Sequence, residues 1–299
     1  MNIYKAISAN VWKTYFILAC FMIFAAVVAY VVSQATGYGV SGGMLVFVIA
    51  IIYSFISYFY SDKIVLATSG AKQIKKKDHP ELFRIVENLA IGNGMPMPRV
   101  YVIEDPSPNA FATGRDPQHA AIAATTGILE RLNKSELEGV LAHELSHVKN
   151  YDTRVLAITA VLVGFISLLT DMFMRHLFWG GLGRNDNRDS RAQMIFLVIG
   201  IVLAIIAPIV ATLIQLAISR KREFLADASG ALPTRYPEGL ASALEKISKD
   251  PRPMQHASSA TAHLFIVNPF KGKGFAGTIT KLFSTHPPME ERVKILRSM

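Results

Sequence analysis

The chain has 299 residues, 51% of them hydrophobic and only 18% charged, yet its formal net charge is +9, from 31 Lys and Arg against 22 Asp and Glu. So high an apolar content excludes intrinsic disorder, and a single cysteine, Cys20, excludes a disulfide-stapled scaffold. A soluble domain carries about 25% charged residues, so a plain soluble globule is disfavoured; no basic stripe with interleaved aromatics supports a nucleic-acid partner.

No charged residue lies between Lys13 and Asp62. Two apolar runs, Tyr15 to Val32 and Met44 to Tyr60, flank a polar, glycine-bearing turn. Each has about the length of a membrane-spanning helix, which predicts a transmembrane hairpin over 1–61. A pair of buried core helices is the alternative, but core helices rarely run so far without a charge. The segment Ile17-Leu18-Ala19-Cys20 has the look of a lipoprotein cleavage site, yet hydrophobicity continues past Cys20 to Val32, as in an uncleaved anchor. Cys20 reads as a small apolar residue of the first span. Lys5 and Lys13 precede the hairpin, five lysines from Lys63 to Lys77 follow it, and its turn has no charge. The positive-inside rule places the N-terminus and everything after about Asp62 in the cytoplasm.

From Asp78 to Asn150 the composition becomes that of a soluble domain. Asp78, ahead of Pro80 and Glu81, predicts a helix N-cap, with Leu82, Ile85, Val86 and Leu89 on the inner face. Arg99–Glu104 alternates as a strand does, and Asn109–Thr113 and Ala120–Thr126 predict further short strands. Ser135-Glu136-Leu137-Glu138 has the form of a capping box and opens a helix to about Asn150. Two more apolar runs follow, Val155 to Thr170 and Ala192 to Ser219, around a loop bearing Arg175, Arg184, Arg188 and Arg191. Helices are predicted at Arg222–Ala231, Pro237–Lys249 and Met289–Met299. The fold class is an α-helical integral membrane protein with a mainly α (α+β) domain carrying a small β-sheet. That domain comprises 62–154 and 220–299, with 155–219 inserted as a second membrane hairpin.

The chemistry is concentrated in His143-Glu144-Leu145-Ser146-His147. Two histidines at i and i+4 share one helical face and can bind one metal ion, while the intervening glutamate projects beside it as a general base. Zinc lowers the pKa of a water to about 7, within reach of such a base. A catalytic zinc takes three protein ligands. Glu223, just past the fourth apolar run, is the best candidate for the third. Asp227 lies one turn on, where a carboxylate could hold a histidine ring in its tautomer.

These motifs, together with Asn109-Ala110-Phe111-Ala112, His263 to Pro269 and Ser284-Thr285-His286-Pro287-Pro288, make the chain resemble the HtpX heat-shock membrane metalloproteases. These are gluzincins related to the CAAX prenyl proteases, and the likeness extends over nearly the whole chain. The resemblance implies a zincin-like catalytic domain binding one zinc per chain through His143, His147 and Glu223. Glu144 would be the general base and acid, and Asp227 would orient His143. His286 would stand near the oxyanion, and Asn109 to Ala112 would form an edge strand that pairs with extended substrate. It further implies a bacterial inner-membrane protease that cleaves unfolded or misfolded membrane proteins in stress-related quality control. No Gly-x-x-x-x-Gly-Lys-Ser/Thr is present, so ATP-driven extraction would fall to a partner protease.

His143, His147 and Glu223 must meet around one ion, so 155–219 must begin and end on one side of the membrane. Two crossings fit the uncharged length of Ala192–Ser219; a re-entrant or protein-packed hairpin is the alternative. Asn150 and Asp152 read as the end of the His helix, and His79, His119, His176, His256 and His263 as structural. The rival functions are a CAAX-type prenyl-protein endopeptidase and a non-catalytic membrane protein with a structural or sensory metal site. Glu144 argues against the latter, because a structural site needs no base.

Overall fold

A computed structural model of the chain describes residues 3–36, 39–162, 220–255, 257–258, 261–270 and 287–299. Of the expected second hairpin over 155–219, residues 163–219 lie outside the described residues, as do His176, His256 and His286.

Helices α1 (Ile3–Thr36) and α2 (Gly39–Thr68) form the N-terminal hairpin. At 1.5 Å per residue they are about 51 and 45 Å long. Phe21 of α1 meets Tyr53 of α2 with ring centroids 6.2 Å apart. Most of the large apolar side chains described on these helices nevertheless face outward. Trp12, Phe16, Ile23, Met44, Leu45, Ile52 and Phe55 are all more than half exposed. Among the described residues one helix, Phe47–Thr68, is long and apolar enough to cross a membrane, and Ser8–Phe24 is a shorter apolar stretch. Helix α2 does not stop at Asp62 but runs on to Thr68. The reason is packing: Val65 and Leu66 are buried against Ile103 and Phe111 of the sheet.

The sheet has four strands, β1 (Lys72–Gln73), β2 (Arg99–Ile103), β3 (Ala110–Thr113) and β4 (Ala121–Thr125), in the order β1-β2-β4-β3. Strands β2 and β4 are parallel, pairing Arg99 with Ala121, while β1 and β3 add antiparallel on the outside. Strand β3 is therefore an edge, as expected. One face of the sheet packs on the main core, which Val100, Ala112 and Ile122 share with α3 (Pro80–Gly92), α5 (Lys134–Lys149) and the C-terminal helices. Between β4 and α5 lies the single-turn α4 (Thr126–Arg131).

Leu82, Ile85, Val86 and Leu89 line the buried face of α3, as their spacing predicts. Its cap differs: His79, not Asp78, is the N-cap. Pro80 holds the first helical position, and a proline forces the residue before it out of the helical region. Asp78 instead accepts a hydrogen bond from the Lys75 N–H at 2.8 Å.

The remaining described helices are α6 (152–162), α7 (Arg220–Thr234), α8 (Pro237–Lys249) and α9 (Met289–Arg297). Helix α5 is the centre of the domain. Every residue from Gly139 to Val148 is buried there, polar ones included. Helix α6 leaves the domain along the hairpin: Val155, Ile158 and Leu162 pack with Ile17, Phe21 and Ala50.

Candidate metal centre

The site is built on α5, and the way α5 begins corrects the predicted cap. Asn133, not Ser135, is the N-cap. Its side chain accepts from the Glu136 N–H, and the Glu136 carboxylate accepts from the Asn133 N–H, each at 2.9 Å. Two residues decide this register. Leu132 before the cap and Leu137 after the first turn are both buried in the main core, a hydrophobic staple that the Ser135 register would lose. Glu136 is also pinned by Ser242 and Lys246 of α8, at 2.6 and 2.8 Å.

Two turns on, His143 and His147 project from one face of α5 with their Nε2 atoms 3.2 Å apart. Helix α7 crosses α5 at this level. Gly230 makes the crossing possible, because a Cβ there would lie 2.8 Å from the His143 amide nitrogen. The approach brings a Glu223 carboxylate oxygen to 3.5 Å from His147 Nε2 and the other to 3.8 Å from His143 Nε2. A tetrahedral ion with bonds of about 2.0–2.2 Å needs ligand atoms roughly 3.3–3.6 Å apart. The triangle already has nearly that size, and all three residues are buried.

Behind each histidine stands a carboxylate. Asp227, one turn beyond Glu223 on α7, has Oδ1 3.0 Å from His143 Nδ1, the position expected for it. Asp152 has Oδ2 2.9 Å from His147 Nδ1. The sequence reading missed this role. Asn150 does end α5, but the chain reverses at Tyr151, whose φ of 60° is left-handed, and Asp152 opens α6 pointing back at the site.

Arg292 is the second residue missed. It is fully buried on α9. Its guanidinium grips Asp227 with two bonds of 2.6 and 2.9 Å, and Nη1 lies 3.5 Å from Glu223. A signal was present: Met289, Arg292, Val293 and Leu296 share the inner helical face, and the arginine is the one charge on it.

Glu144 turns away from solvent toward the sheet edge, and its Oε2 accepts the Ala112 N–H at 2.9 Å. The Ala110 carbonyl on the same outer edge of β3 accepts from the Ile266 N–H at 3.1 Å. Asn109 is committed to the same segment: its amide donates to the Val267 carbonyl at 2.8 Å. Phe111 is wholly buried and packs edge-on against Phe265. His263 is buried beside the Leu156 carbonyl, His79 is the N-cap of α3 and His119 ends a short 3-10 helix.

The electrostatics favour a cation. Four buried carboxylates, Glu144, Asp152, Glu223 and Asp227, face two buried guanidiniums, Arg222 and Arg292. The carboxylates outnumber the guanidiniums, which favours binding of a cation. Burial pushes the His143 imidazole down to about 4, against the pull of Asp227. Burial acts the same way on His147, but Asp152, Glu223 and Glu144 outweigh it and hold that ring at about 9. Asp227 would be raised by burial, yet His143 and Arg292 hold it down at about 2. Donor set, spacing and charge all fit a metal ion.

Residues 76–299 match the model of peptidase family M48. The chain belongs to peptidase family M48. It is 46% identical over 299 residues to the protease HtpX homolog of Caldanaerobacter subterraneus subsp. tengcongensis, spanning 100% of this chain and 98% of that protein. To the protease HtpX homolog of Tropheryma whipplei strain Twist it is 48% identical over 296 residues, with 99% and 98% covered. Among solved structures it is similar to Ste24p of S. mikatae, with a TM-score of 0.51 and 18% identity over 95% of this chain and 65% of that one. That last likeness is one of fold. The chain is thus an HtpX-type metallopeptidase, with His143, Glu144 and His147 lying inside the matched region.

Proposed function

We propose that this M48 peptidase is an integral membrane zinc endopeptidase that cleaves unfolded or misfolded membrane proteins at the cytoplasmic face of a bacterial inner membrane. The observation that carries the chemistry is the buried triangle of His143, His147 and Glu223 with Glu144 beside it. A bound zinc ion would supply Lewis-acid polarisation of the scissile carbonyl and ease deprotonation of the attacking water. His143, His147 and Glu223 would hold the ion. Asp227 and Asp152 fix the imidazole rings through their Nδ1 atoms. Glu144 takes the proton from the attacking water and delivers it to the leaving amine. His286, tied through Pro287 and Pro288 to the helix that carries Arg292, donates to the oxyanion.

Extended substrate pairs with the outer edge of β3 at the Ala112 carbonyl, since Ile266 already holds Ala110 and Glu144 holds the Ala112 N–H. Glu144→Gln keeps the shape and loses the base. Zinc content measured on the purified variant should stay at one per chain, while casein cleavage falls by about 10²–10⁴. Cleavage at the wild-type rate would sink the mechanism.

The membrane reading rests on the large apolar side chains of α1 and α2 that face outward, because an exposed apolar face marks a membrane or partner contact. Residues 155–219 form a second hairpin crossing twice, which keeps α5 and α7 on one side. A topology reporter fused between Arg184 and Arg191 should read external; a cytoplasmic signal would exclude the two crossings. Extraction of substrate from the bilayer is left to an ATP-dependent partner.

A further inference from the structure

Asn10 is an anomaly in its surroundings. It lies on the apolar helix α1, it is 1% exposed, and all its side-chain partners lie at least 140 residues away in sequence. Its Nδ2 donates to the Asn150 carbonyl and to Asp152 Oδ1, both at 2.7 Å. Its Oδ1 accepts from Arg222 Nη1 at 2.6 Å. Two donors and one carbonyl oxygen are what an Asn side chain offers, and all are engaged. Arg222 also donates to Asp152 Oδ1, at 3.0 Å.

Each partner bears on the metal centre. Asn150 caps the helix that carries both histidines. Arg222 precedes the ligand Glu223. Asp152 divides its carboxylate, Oδ1 toward Asn10 and Arg222 and Oδ2 toward His147 Nδ1. A carboxylate can turn about its own bond; anchoring Oδ1 fixes where Oδ2 points, and with it the His147 ring. Packing alone would not call for a primary amide here, because an apolar side chain on α1 would fill the space without needing partners. The buried amide is affordable only because its three bonds are made.

We propose that Asn10, on the first helix of the apolar hairpin, is a positioning residue for the metal centre: it holds Asp152 against His147 and so makes metal affinity depend on the seating of α1. This rests on the metallopeptidase reading of the site. Helix α1 is then part of the machinery that shapes the ligand sphere, in addition to any role as an anchor.

The test uses the full-length protein in detergent, with zinc affinity read by chelator competition and coordination read from the visible absorption of the Co²⁺-substituted protein. Loss of groups that orient metal ligands costs about 10–100-fold in affinity. Asn10→Ala should weaken zinc by about tenfold and alter the Co²⁺ spectrum; Asn10→Ser, which keeps one polar group toward Asp152, should fall between it and wild type. Thr14→Val is the packing control. Thr14 is also buried on α1, one turn on, and among the described residues its hydroxyl bonds to its own helix at the Asn10 carbonyl. It should leave affinity and spectrum unchanged.

Asp152→Asn supplies the coupling. If Asn10 acts through Asp152, Asn10→Ala adds little further loss in the Asp152→Asn background. Full additivity would overturn the proposal, as would wild-type affinity in Asn10→Ala. Should Asn10→Ala fail to fold, the same readings are taken on Asn10→Ser. A wild type that binds no zinc would overturn the metal reading itself, whereas wild type and variant binding zinc equally would overturn this proposal alone.

Discussion

His143 and His147 carry the same imidazole one turn apart on one helix, yet their surroundings drive them in opposite directions. Each has a carboxylate behind its Nδ1. On the His143 side that carboxylate is gripped in two bonds by Arg292, so little of its charge is left to hold a proton and burial keeps the ring neutral. On the His147 side Asp152 acts together with Glu223 and Glu144, and the ring holds a proton to about 9. One half of the site is thus a ligand ready in its neutral form. The other half attracts positive charge, and in the metal-free protein a proton answers that attraction. The proton on His147 and a divalent ion compete for the same nitrogen.

The asymmetry can be broken at Arg292. Arg292→Met removes the guanidinium and leaves the buried Asp227 with His143 but without its ion-pair partner, and breaking a buried pair from one side costs about 3–5 kcal/mol. Thermal unfolding of the metal-free variant should show a loss of that order. The His143 ring, now facing an unshared carboxylate, should titrate higher, which NMR of the imidazole protons would follow. An unchanged His143 would mean that Arg292 is not what separates the two rings.

The second effect is on pH dependence. Because zinc must displace the His147 proton, apparent zinc affinity should rise by about tenfold per pH unit between pH 7 and 9 and level off above. The folded pKa of His147 is raised, so its contribution to the stability of the metal-free protein is full below the ordinary histidine value of 6.5. It is lost as pH rises through about 9. Chelator competition across this range checks the first statement and denaturant titration of the metal-free protein the second.

The smallest effect concerns how the shared helix is started. Asn133→Ala should cost about 1 kcal/mol of stability, and Ser135→Ala much less, because Asn133 is the residue that bonds the Glu136 N–H. Equal losses on denaturant titration would restore the Ser135 register. Both histidines would move together in either case, so a change here must leave their difference intact.

The two histidines also differ in how far their settings could be read from sequence. Glu223 and Asp227 stand one turn apart on a helix, a spacing visible in the letters, and the structure brings Glu223 to both imidazoles and Asp227 to His143 Nδ1. Strands β2, β3 and β4 and helix α8 lie within a residue or two of where alternation and proline predicted them. Asp152 was not legible in the same way. Its role depends on a left-handed turn at Tyr151, a residue type that gives no warning of positive φ. Asn10 was hidden because its partners are distant in sequence, and the cap of α5 because two overlapping patterns each satisfied the capping rule until Leu132 and Leu137 decided between them. Local periodicity was readable; contacts made by docking one element on another were not.

Gly230 carries a consequence for which ion the protein can keep. A methyl group there would lie 2.8 Å from the His143 backbone, so α5 and α7 would have to part, and Glu223 would travel with its helix. Parted further than the present 3.2–3.8 Å, the ligand atoms move away from the roughly 3.3–3.6 Å spacing that a small tetrahedral ion requires. The absent side chain acts as a gauge: by fixing how closely two helices can touch, it fixes the radius of the ion that fits between them.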